Sequence, residues 1–529
     1  MSETSTAPPG AGGSAGAGAG EKGLKGGALG LLSTTVIGVA STAPGYSLAA
    51  TLGFVIAVAG FKAPAIMWLA FVPMAFTAAA YYYLNRADPD CGTTFSWATR
   101  AMGPTIGWFG GWAIIVADVI VMAALAQIAG IYTFLLFDAD GLAENTFWVT
   151  VLGCTFIAIV TWICYIGIEV SAKTQYFLLG LEVVALGLFT VVALVRVWFG
   201  DVEGSVDPSL SWLNPSGIQG FELSWAELNP FSSSQSSLVI GLLLAIFIYW
   251  GWDSAVTVNE ESSDAAHTPG KAAIISTVVL VAIYVVVSVA VQAFAGIDSL
   301  ADQDDVLAVV GDQVLGSWLG KLLIIAVLTS ATASCQTTIL PTTRTALSMA
   351  AKGAAPKYFA RIEPRYLTPS TATVWMGVLS VVWYAGLTVV SEDALSDSLL
   401  SLGLMIALYY ALTAWACVWY YRRHLTEGWR NMVYVGLFPA LGGLMLTWVL
   451  IKSVFVLSEP ANSNSGNEWF GLGPPVVIGA GFMILGLVLY VLQRTRGSGD
   501  FFDRRAELPS DAVARGEAIA EGALIVEED

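Results

Sequence analysis

The chain has 529 residues, of which 56% are hydrophobic and only 12% are charged, and its mean hydropathy is +0.71. A soluble protein carries about 25% charged residues, so this composition excludes a soluble globular fold of this length. The net charge of −17 comes from acids in loops and in the C-terminal region, and no basic patch indicates a nucleic-acid partner. The sequence therefore predicts an all-α polytopic membrane protein embedded in a lipid bilayer, since many apolar runs exceed the roughly 20 residues of a transmembrane helix.

Twelve apolar segments follow one another along the chain, and we expect each to be a transmembrane helix. They cover residues 30–60, 64–85, 106–137, 146–168, 173–198, 238–262, 272–295, 318–351, 370–391, 398–421, 430–457 and 475–493. The transmembrane domain is therefore placed at residues 28–493. Residues 1–27 are rich in Gly, Ala and Ser, lack the apolar core of a signal peptide, and are predicted to be a disordered tail. Residues 494–529 are charged and polar and are predicted to be a second soluble tail.

Lysine and arginine residues set the predicted orientation, because the cytoplasmic loops of membrane proteins are enriched in them. With a cytoplasmic N-terminus and twelve spans, 19 of the 23 basic residues fall on the cytoplasmic side. The four on the outer side are Lys62, Arg196, Lys321 and Lys452. An odd number of spans would spoil this asymmetry, so we expect a multi-pass protein of the cell membrane with both termini in the cytoplasm.

Two of the twelve segments carry interruptions. The first contains ASTAPGYS (40–47), in which Pro44 lacks a backbone donor and Gly45 adds flexibility. The sixth contains YWGWDS (249–254), with Gly251 between two tryptophans. Free backbone groups inside lipid are tolerated only where they line a cavity or are otherwise satisfied. Broken helices five spans apart indicate two five-helix repeats and a transporter with a midplane binding site, and two simple kinks are the alternative.

Four motifs occur in order along residues 28–425, and together they resemble the amino acid–polyamine–organocation (APC) permeases. They are PDCGTTFSWATRAMGPTIGWFGGW (89–112), FIYWGWDSAVTVNEESSDAAHTPGKAAI (247–274), RTALSMAAKGAAP (344–356) and Pro369 at the start of the ninth segment. The resemblance rests on their order and on the spans in which they lie. It implies a LeuT-like 5+5 inverted repeat with discontinuous helices 1 and 6, and transport by alternating access.

By this resemblance, the substrate lies between the first and sixth spans. The carboxylate of an amino acid would meet free N–H groups near Ala43 and Gly45, and its ammonium would meet carbonyl groups near Ser41 and Tyr249. The expected substrate-binding residues of the two breaks are Ser41, Thr42, Ala43, Gly45, Tyr249, Trp250, Gly251, Trp252 and Asp253. One of the two tryptophans would cap the site as an aromatic gate, with core or lipid packing as the alternative. The first break departs from the glycine-rich stretch of many members, because it reads Thr-Ala-Pro-Gly-Tyr.

Glu182 lies in the middle of the apolar run YFLLGLEVVALGLF (176–189). An acid at the bilayer centre costs about 2.5 to 3.5 kcal/mol on insertion scales, so it is expected to be paired, protonated or in a cavity. In the resemblance, Glu182 replaces a lysine that bridges the first and eighth spans and is proposed to carry the coupling proton. A protonated Glu182 could bind the hydroxyl groups of Ser330 and Ser334, which share a helix face. Proton coupling, ligation of a cation such as Na⁺ and a structural hydrogen bond are the three alternatives.

Two further acids are expected in the pocket. Asp118 lies in the third span, where the arginine/agmatine exchangers of the family line the substrate pocket. Asp253 follows the break of the sixth span, where an acid is linked to substrate amines in polyamine-handling members. Two pocket acids would favour a cationic substrate by Coulomb attraction. A structural hydrogen bond of Asp118, and capping of the second half of the sixth helix by Asp253, are the alternatives.

The sequence predicts a secondary active transporter that imports an amino acid together with H⁺, and a transporter or exchanger of polyamines or other organic amines is the alternative. A membrane enzyme is disfavoured because no motif joins a nucleophile to His267 or His424. An ion channel is disfavoured by the two breaks at a repeat interval. No cofactor and no metal site is predicted, since the five cysteines lack C-x-x-C spacing. Glu260 and Glu261 mark the cytoplasmic end of the sixth span and are expected to hold basic loop residues in a gate rather than to touch substrate.

Overall fold

The architecture is known from a computed structural model that describes residues 22–200, 202–221, 225–232, 237–301, 305–390, 392–496 and 501–503. Within these ranges the regular structure is helical, and β pairing is limited to two isolated bridges. This follows from the composition, because a helix satisfies its own backbone hydrogen bonds where no water is available. Ten helical stretches are long and apolar enough to cross a membrane. The predicted multi-pass all-α architecture is therefore confirmed.

The helices are labelled in chain order. They are α1 Leu31–Ser41, α2 Pro44–Ala59, α3 Ala63–Ala87, α4 Thr94–Met102, α5 Pro104–Leu136, α6 Asp140–Ala143, α7 Thr146–Tyr165, α8 Ile168–Phe199, α9 Trp225–Leu228, α10 Ser237–Ile248, α11 Ser254–Thr257, α12 Thr268–Ala295, α13 Val306–Ala351, α14 Ser370–Val390, α15 Glu392–Tyr421, α16 Trp429–Asn431, α17 Phe438–Leu457 and α18 Pro474–Arg496. The first of the ten apolar stretches, Leu31–Ala87, contains α1, α2 and α3, and α10 is a shorter apolar helix in the sixth predicted segment. The count of twelve spans stays a prediction.

Helical geometry is interrupted in the first and sixth segments, at the sequences that predict it. α1 ends at Ser41 and α2 begins at Pro44, with Ala43 between them in the left-handed region at φ 48°. α10 ends at Ile248 and α11 begins at Ser254, and the backbone between them forms turns, with i→i−3 hydrogen bonds from the N–H groups of Tyr249 and Trp250. The second half of the sixth segment is shorter than residues 238–262 suggest, because α11 has four residues and continues only as a 3-10 turn.

α8 places Glu182 inside the protein. Its buried residues recur every three or four positions and include Leu179, Glu182, Leu186 and Phe189, whereas Val184 on another face is 70% exposed. This is the spacing of one face of an α-helix, so the acid belongs to the buried face. That face packs on α13 and on α1. The helical spacing therefore puts Glu182 on the buried face of α8, and the packing of α8 against α1 and α13 brings that face to the first break.

Parts of both predicted tails pack against the bundle. Residues 22–27 fall in the expected disordered tail, but Leu24 is fully buried and Lys22 forms ion pairs with the protein body. At the other end α18 continues to Arg496, and Phe501 is 1% exposed and stacks on Phe95. A boundary drawn from composition does not detect single residues of a low-complexity segment that anchor it to the protein. The remaining residues of the predicted tails, 1–21 and 504–529, lie outside the described residues.

Four charged residues, Lys22, Asp90, Glu260 and Lys352, meet at one end of the bundle and are called the N-terminal cluster below. The ammonium of Lys22 contacts the carboxylates of Asp90 at 2.8 Å and Glu260 at 2.5 Å, and that of Lys352 lies 2.9 Å from Asp90. Ligand atoms of Asp90, Cys91 and Glu260 lie within 4.8 Å of one another, and the Lys22 ammonium contacts all three residues. The cluster therefore ties the N-terminal segment to the loop after α3 and to the end of the sixth segment.

A buried ion pair lies beside the N-terminal cluster. Arg344 donates from Nε and Nη2 to the two carboxylate oxygens of Glu261, both at 2.9 Å, and neither side chain is more than 1% exposed. The pair joins α13 to the end of the sixth segment. Glu261 therefore holds a basic residue of a helix and not the expected loop residue, and the contact is bidentate, which fixes its geometry.

We expect Arg344→Leu to destabilise the protein by about 3 to 5 kcal/mol, because it leaves the Glu261 carboxylate buried without its partner. The measurement is the apparent melting temperature of the purified protein in detergent. Arg365→Leu, at an exposed position, is the control and should leave the melting temperature unchanged. The double variant Arg344→Leu/Glu261→Leu should recover part of the loss, and a single variant as stable as wild type would contradict the structural role of the pair.

Candidate functional site

The two helix breaks touch each other. The hydroxyl groups of Ser41 and Ser254 are 2.8 Å apart. A Cβ at Gly251 would lie 2.7 Å from the carbonyl oxygen of Ser41, and Gly251 has φ +115°, which strains any residue with a side chain. Glycine at this position is what allows the two unwound backbones to approach, so the predicted site is one continuous structure.

Glu182 caps the second half of the broken first helix. Its Oε1 accepts a hydrogen bond of 2.7 Å from the N–H of Gly45, the second residue of α2. A carboxylate at a helix N-terminus is favourable, because the amide donors there have no helical partner. Its Oε2 is buried and has no hydrogen-bond partner among the described residues. The side chain thus satisfies one backbone group, its Oε2 has no hydrogen bond of normal geometry from a described residue, and the predicted partner Ser330 lies near enough for its hydroxyl group to interact with the carboxylate.

The two serines predicted to act with Glu182 lie at the same break. Ser330 accepts from the N–H of Tyr46 at 3.2 Å, and a Cβ at Gly45 would lie 3.5 Å from Ser330 Cβ and 3.3 Å from Glu182 Oε1. Ser334 instead donates to the carbonyl oxygen of Ser41 at 2.7 Å. The expected pairing of Glu182 with Ser334 is therefore wrong for this conformation, because α13 places that hydroxyl group one turn further along the break.

The amides expected to be free for a substrate carboxylate are occupied. The N–H of Ala43 donates to the carbonyl oxygen of Ala40 at 3.2 Å, and the N–H of Gly45 donates to Glu182. The expectation that they are free is therefore wrong for this structure. The physical reason is that the left-handed conformation of Ala43 closes a tight turn, while the next amide is capped from another helix.

Asp253 is held by two tyrosines of α15. Tyr410 donates to its Oδ1 at 2.7 Å and Tyr409 donates to its Oδ2 at 3.2 Å. The indole N–H of Trp250 donates to the hydroxyl oxygen of Tyr409. Asp253 precedes α11 but makes no side-chain capping bond to it, so the capping alternative is not what the structure shows.

Asp118, in α5, lies near Asp253. The hydroxyl group of Thr342 donates to its Oδ2 at 2.5 Å, so its structural hydrogen bond is present. The carboxyl groups of Asp118 and Asp253 are close enough to interact electrostatically, and each residue is only 2% exposed. Both acids are therefore buried between α5, α13 and the sixth-segment break, where their partners are hydroxyl groups.

The aromatic residues of the sixth break are all buried. Trp252 is fully buried, stacks on Tyr410 with centroids 5.2 Å apart, and meets Tyr81 edge-on at 5.0 Å. Tyr249 is also fully buried and donates to the carbonyl oxygen of Met67. Trp250 is 7% exposed, which makes it the more accessible tryptophan. Both tryptophans are packed inside the protein in this conformation, and which of them acts as an aromatic gate stays a prediction.

Sequence reasoning missed the tyrosines that organise the pocket. Tyr409 and Tyr410 lie in the tenth predicted segment, in the sequence LYYALTAW (408–415). A buried tyrosine hydroxyl group needs a hydrogen-bond partner, so two adjacent tyrosines in an apolar span were the available signal.

All predicted site residues are buried, including Thr42 at 4% exposure. The site is closed to solvent in this conformation.

Comparisons with known proteins agree with this architecture. The family model described as Amino acid permease matches residues 29–482. The cationic amino acid transporter 4, vacuolar, of Arabidopsis thaliana is 25% identical over 355 residues, which cover 64% of this chain and 54% of that protein. This chain thus spans about half the length of that relative. The low-affinity putrescine importer PlaP of Escherichia coli (strain K12) is 20% identical over 450 residues, covering 84% of this chain and 91% of that protein.

Among solved structures, MhsT in complex with L-phenylalanine shares the fold. The TM-score is 0.56 and the sequence identity 15%, over 79% of this chain and 98% of MhsT. At this identity the likeness concerns the arrangement of helices and not the ligand. It confirms the predicted LeuT-like fold.

We expect Gly251→Ala to lower the apparent melting temperature, because the new Cβ would collide with the carbonyl oxygen of Ser41 at a strained φ. Gly386→Ala in α14 is the matched control, since a Cβ there meets nothing within 4 Å. The control should be neutral or slightly stabilising, as alanine is the better helix former. Equal melting temperatures for the two variants would contradict the close approach of the breaks.

Proposed function

Because the chain belongs to the amino acid permease family, as the four motifs predict, we propose that it is a secondary active transporter that imports an amino acid or an organic amine together with H⁺ by alternating access. Family membership sets aside the membrane enzyme considered above. The observation that carries the proposal is the wholly buried Glu182 at the first helix break, with one oxygen on Gly45 and one unengaged.

The proton-coupling role rests on the chemistry of that unengaged oxygen. A buried carboxyl group is far less costly when it is neutral, so protonation and release change the stability of the break to which it is bound. Oε2 of Glu182 accepts no hydrogen bond from the described residues and can therefore take up a proton, while Oε1 continues to accept from the N–H of Gly45. Ligation of Na⁺ by the same oxygen is the competing role, and an ion-gradient experiment separates them.

The charge of the pocket favours a cationic substrate. Asp118 and Asp253 are both buried, which favours their neutral forms, and a cation bound beside them would stabilise the ionised carboxylates by Coulomb attraction. The names of two relatives support a cationic substrate, since one is a cationic amino acid transporter and another a putrescine importer. Exchange or transport of polyamines or other organic amines is therefore the second candidate function.

Alternating access requires one end of the pathway to open, and the N-terminal cluster with the Glu261–Arg344 pair closes one end here. Burial alone would raise the pKa of Asp90, but the ammonium groups of Lys352 and Lys22 outweigh it and hold that pKa well below its usual range. A lowered carboxyl pKa means that the stabilisation is lost only as the pH falls below the ordinary range of aspartate. This end is therefore proposed to be the cytoplasmic gate, opened by substrate and not by physiological acidification.

We expect uptake into proteoliposomes to be stimulated up to about tenfold by an inward proton gradient of about one pH unit, since one unit corresponds to about 1.36 kcal/mol. Glu182→Gln should abolish this stimulation, because the amide cannot take up a proton. Glu169→Gln, at the exposed start of α8, is the control and should keep it. Stimulation that survives in Glu182→Gln, or a response to a sodium gradient alone, would contradict proton coupling through Glu182.

We expect Asp118→Asn to weaken binding of cationic substrates roughly tenfold, equivalent to about 1.4 kcal/mol, because one of two pocket charges is lost. Neutral amino acids should bind as they do to wild type. Competition against a labelled substrate in proteoliposomes measures both, with Asp140→Asn at an exposed position as the control. Unchanged discrimination between cationic and neutral compounds would contradict the charged pocket.

A further inference from the structure

The first helix break has no backbone donor to offer to a substrate. Thr42 and Ala43 donate to carbonyl groups of α1, and Ser47 donates to the carbonyl oxygen of Ala43. Pro44 has no N–H. The two remaining amides between residues 42 and 47, those of Gly45 and Tyr46, donate to the side chains of Glu182 and Ser330. Every donor at this break is therefore engaged within the protein.

The group bound to Gly45 is the same chemical group that an amino acid would present. Transporters with discontinuous helices direct the positive end of a half-helix at the anionic group of the substrate. In this chain the carboxylate of Glu182 occupies that end, 2.7 Å from the Gly45 amide. The side chain is fully buried, and its second oxygen has no partner among the described residues. A substrate carboxylate would have to displace the Glu182 carboxyl group, which is covalently tethered to α8, from the Gly45 amide.

No buried cation compensates for this arrangement. Two basic side chains are fully buried among the described residues, and both are engaged. Arg344 is held bidentately by Glu261, and Lys452 donates to the carbonyl oxygen of Ser232. The remaining buried charges near the breaks are the acids Asp118 and Asp253. The acids near the breaks can therefore accept from ammonium groups, whereas both fully buried basic side chains of the described residues are already engaged and offer nothing to a substrate carboxylate.

We propose that Glu182 makes the site selective for organic amines that carry no carboxylate, by occupying with its own carboxylate the amide that an amino acid would need. This inference rests on the proposed transport function and names its substrate class. Glu182 acts here as a specificity-determining residue, in addition to any proton it carries. The substrate carries its positive charge to the two pocket acids and leaves the Gly45 amide undisturbed.

The test uses matched pairs that differ only by the carboxylate, namely putrescine and ornithine, cadaverine and lysine, and agmatine and arginine. Binding is measured as the ligand-dependent shift of the melting temperature of the purified full-length protein, a readout that needs no ion gradient. We expect each amine to bind at least about tenfold more tightly than its amino acid, equivalent to about 1.4 kcal/mol. Equal or tighter binding of the amino acids would overturn the inference.

Variants of Glu182 assign the selectivity to this residue. Glu182→Ala frees the Gly45 amide and removes the charge, so the preference for the amine should shrink severalfold. Glu182→Gln keeps an oxygen that can accept from Gly45, so its preference should be intermediate. Asp118→Asn should weaken the binding of both members of a pair alike and leave the ratio of their affinities unchanged, because both carry the same cationic group at the end away from the carboxylate. A ratio that is the same in wild type and both Glu182 variants would overturn the role of Glu182.

Failure of this inference differs from failure of the proposed function. Proteoliposomes loaded with one member of a pair report counterflow of the other without any coupling ion. Transport of amino acids in preference to amines overturns the amine selectivity while the transport function stands. Transport of neither member of any pair, with or without a proton gradient, contradicts the proposed function and the selectivity that rests on it.

Discussion

The hydrogen bond from the Gly45 amide to Glu182 is the interaction on which the rest of the site depends. A helix that is interrupted inside a membrane exposes backbone donors, and each unsatisfied donor costs several kcal/mol in lipid. Here Pro44 removes one donor, the turn at Ala43 uses others, and side chains of α8 and α13 supply the remaining acceptors. The Glu182 carboxylate is costly to bury, but it satisfies a backbone donor that the break in the helix would otherwise leave without a partner.

The same constraint links the two breaks. An unwound segment at the first break can approach the sixth only where no side chain intervenes, and Gly251 provides that position. Once the breaks are in contact, Asp253 is directed toward α15, where Tyr409 and Tyr410 satisfy it. A polar network then continues from the break into the tenth predicted segment. Polar groups in such a network are rigid because each one is the partner of another.

At the end of the bundle that contains the N-terminal cluster, charged side chains are paired in the same way as the backbone donors at the break. Lys22 and Lys352 neutralise Asp90 and Glu260 at the surface, and Arg344 neutralises Glu261 inside. Charges can be buried here because each has a partner of opposite sign. The helix breaks differ, since among the described residues the acids there, Glu182, Asp118 and Asp253, have hydroxyl or amide partners and no basic partner. A bound cation would supply the missing positive charge, which is why a cationic substrate is proposed.

Hydropathy, proline and glycine act locally, so the amino-acid sequence was enough to predict the membrane environment, the helical class and the positions of both interruptions. It also singled out Glu182, Asp118 and Asp253, because an acid in an apolar run is conspicuous. Only the tertiary structure decided what each acid meets. The capping of Gly45 by Glu182, the tyrosines around Asp253 and the diversion of Ser334 to the Ser41 carbonyl join residues far apart in the chain. Such contacts depend on the relative rotation of packed helices, which periodicity within one helix does not specify.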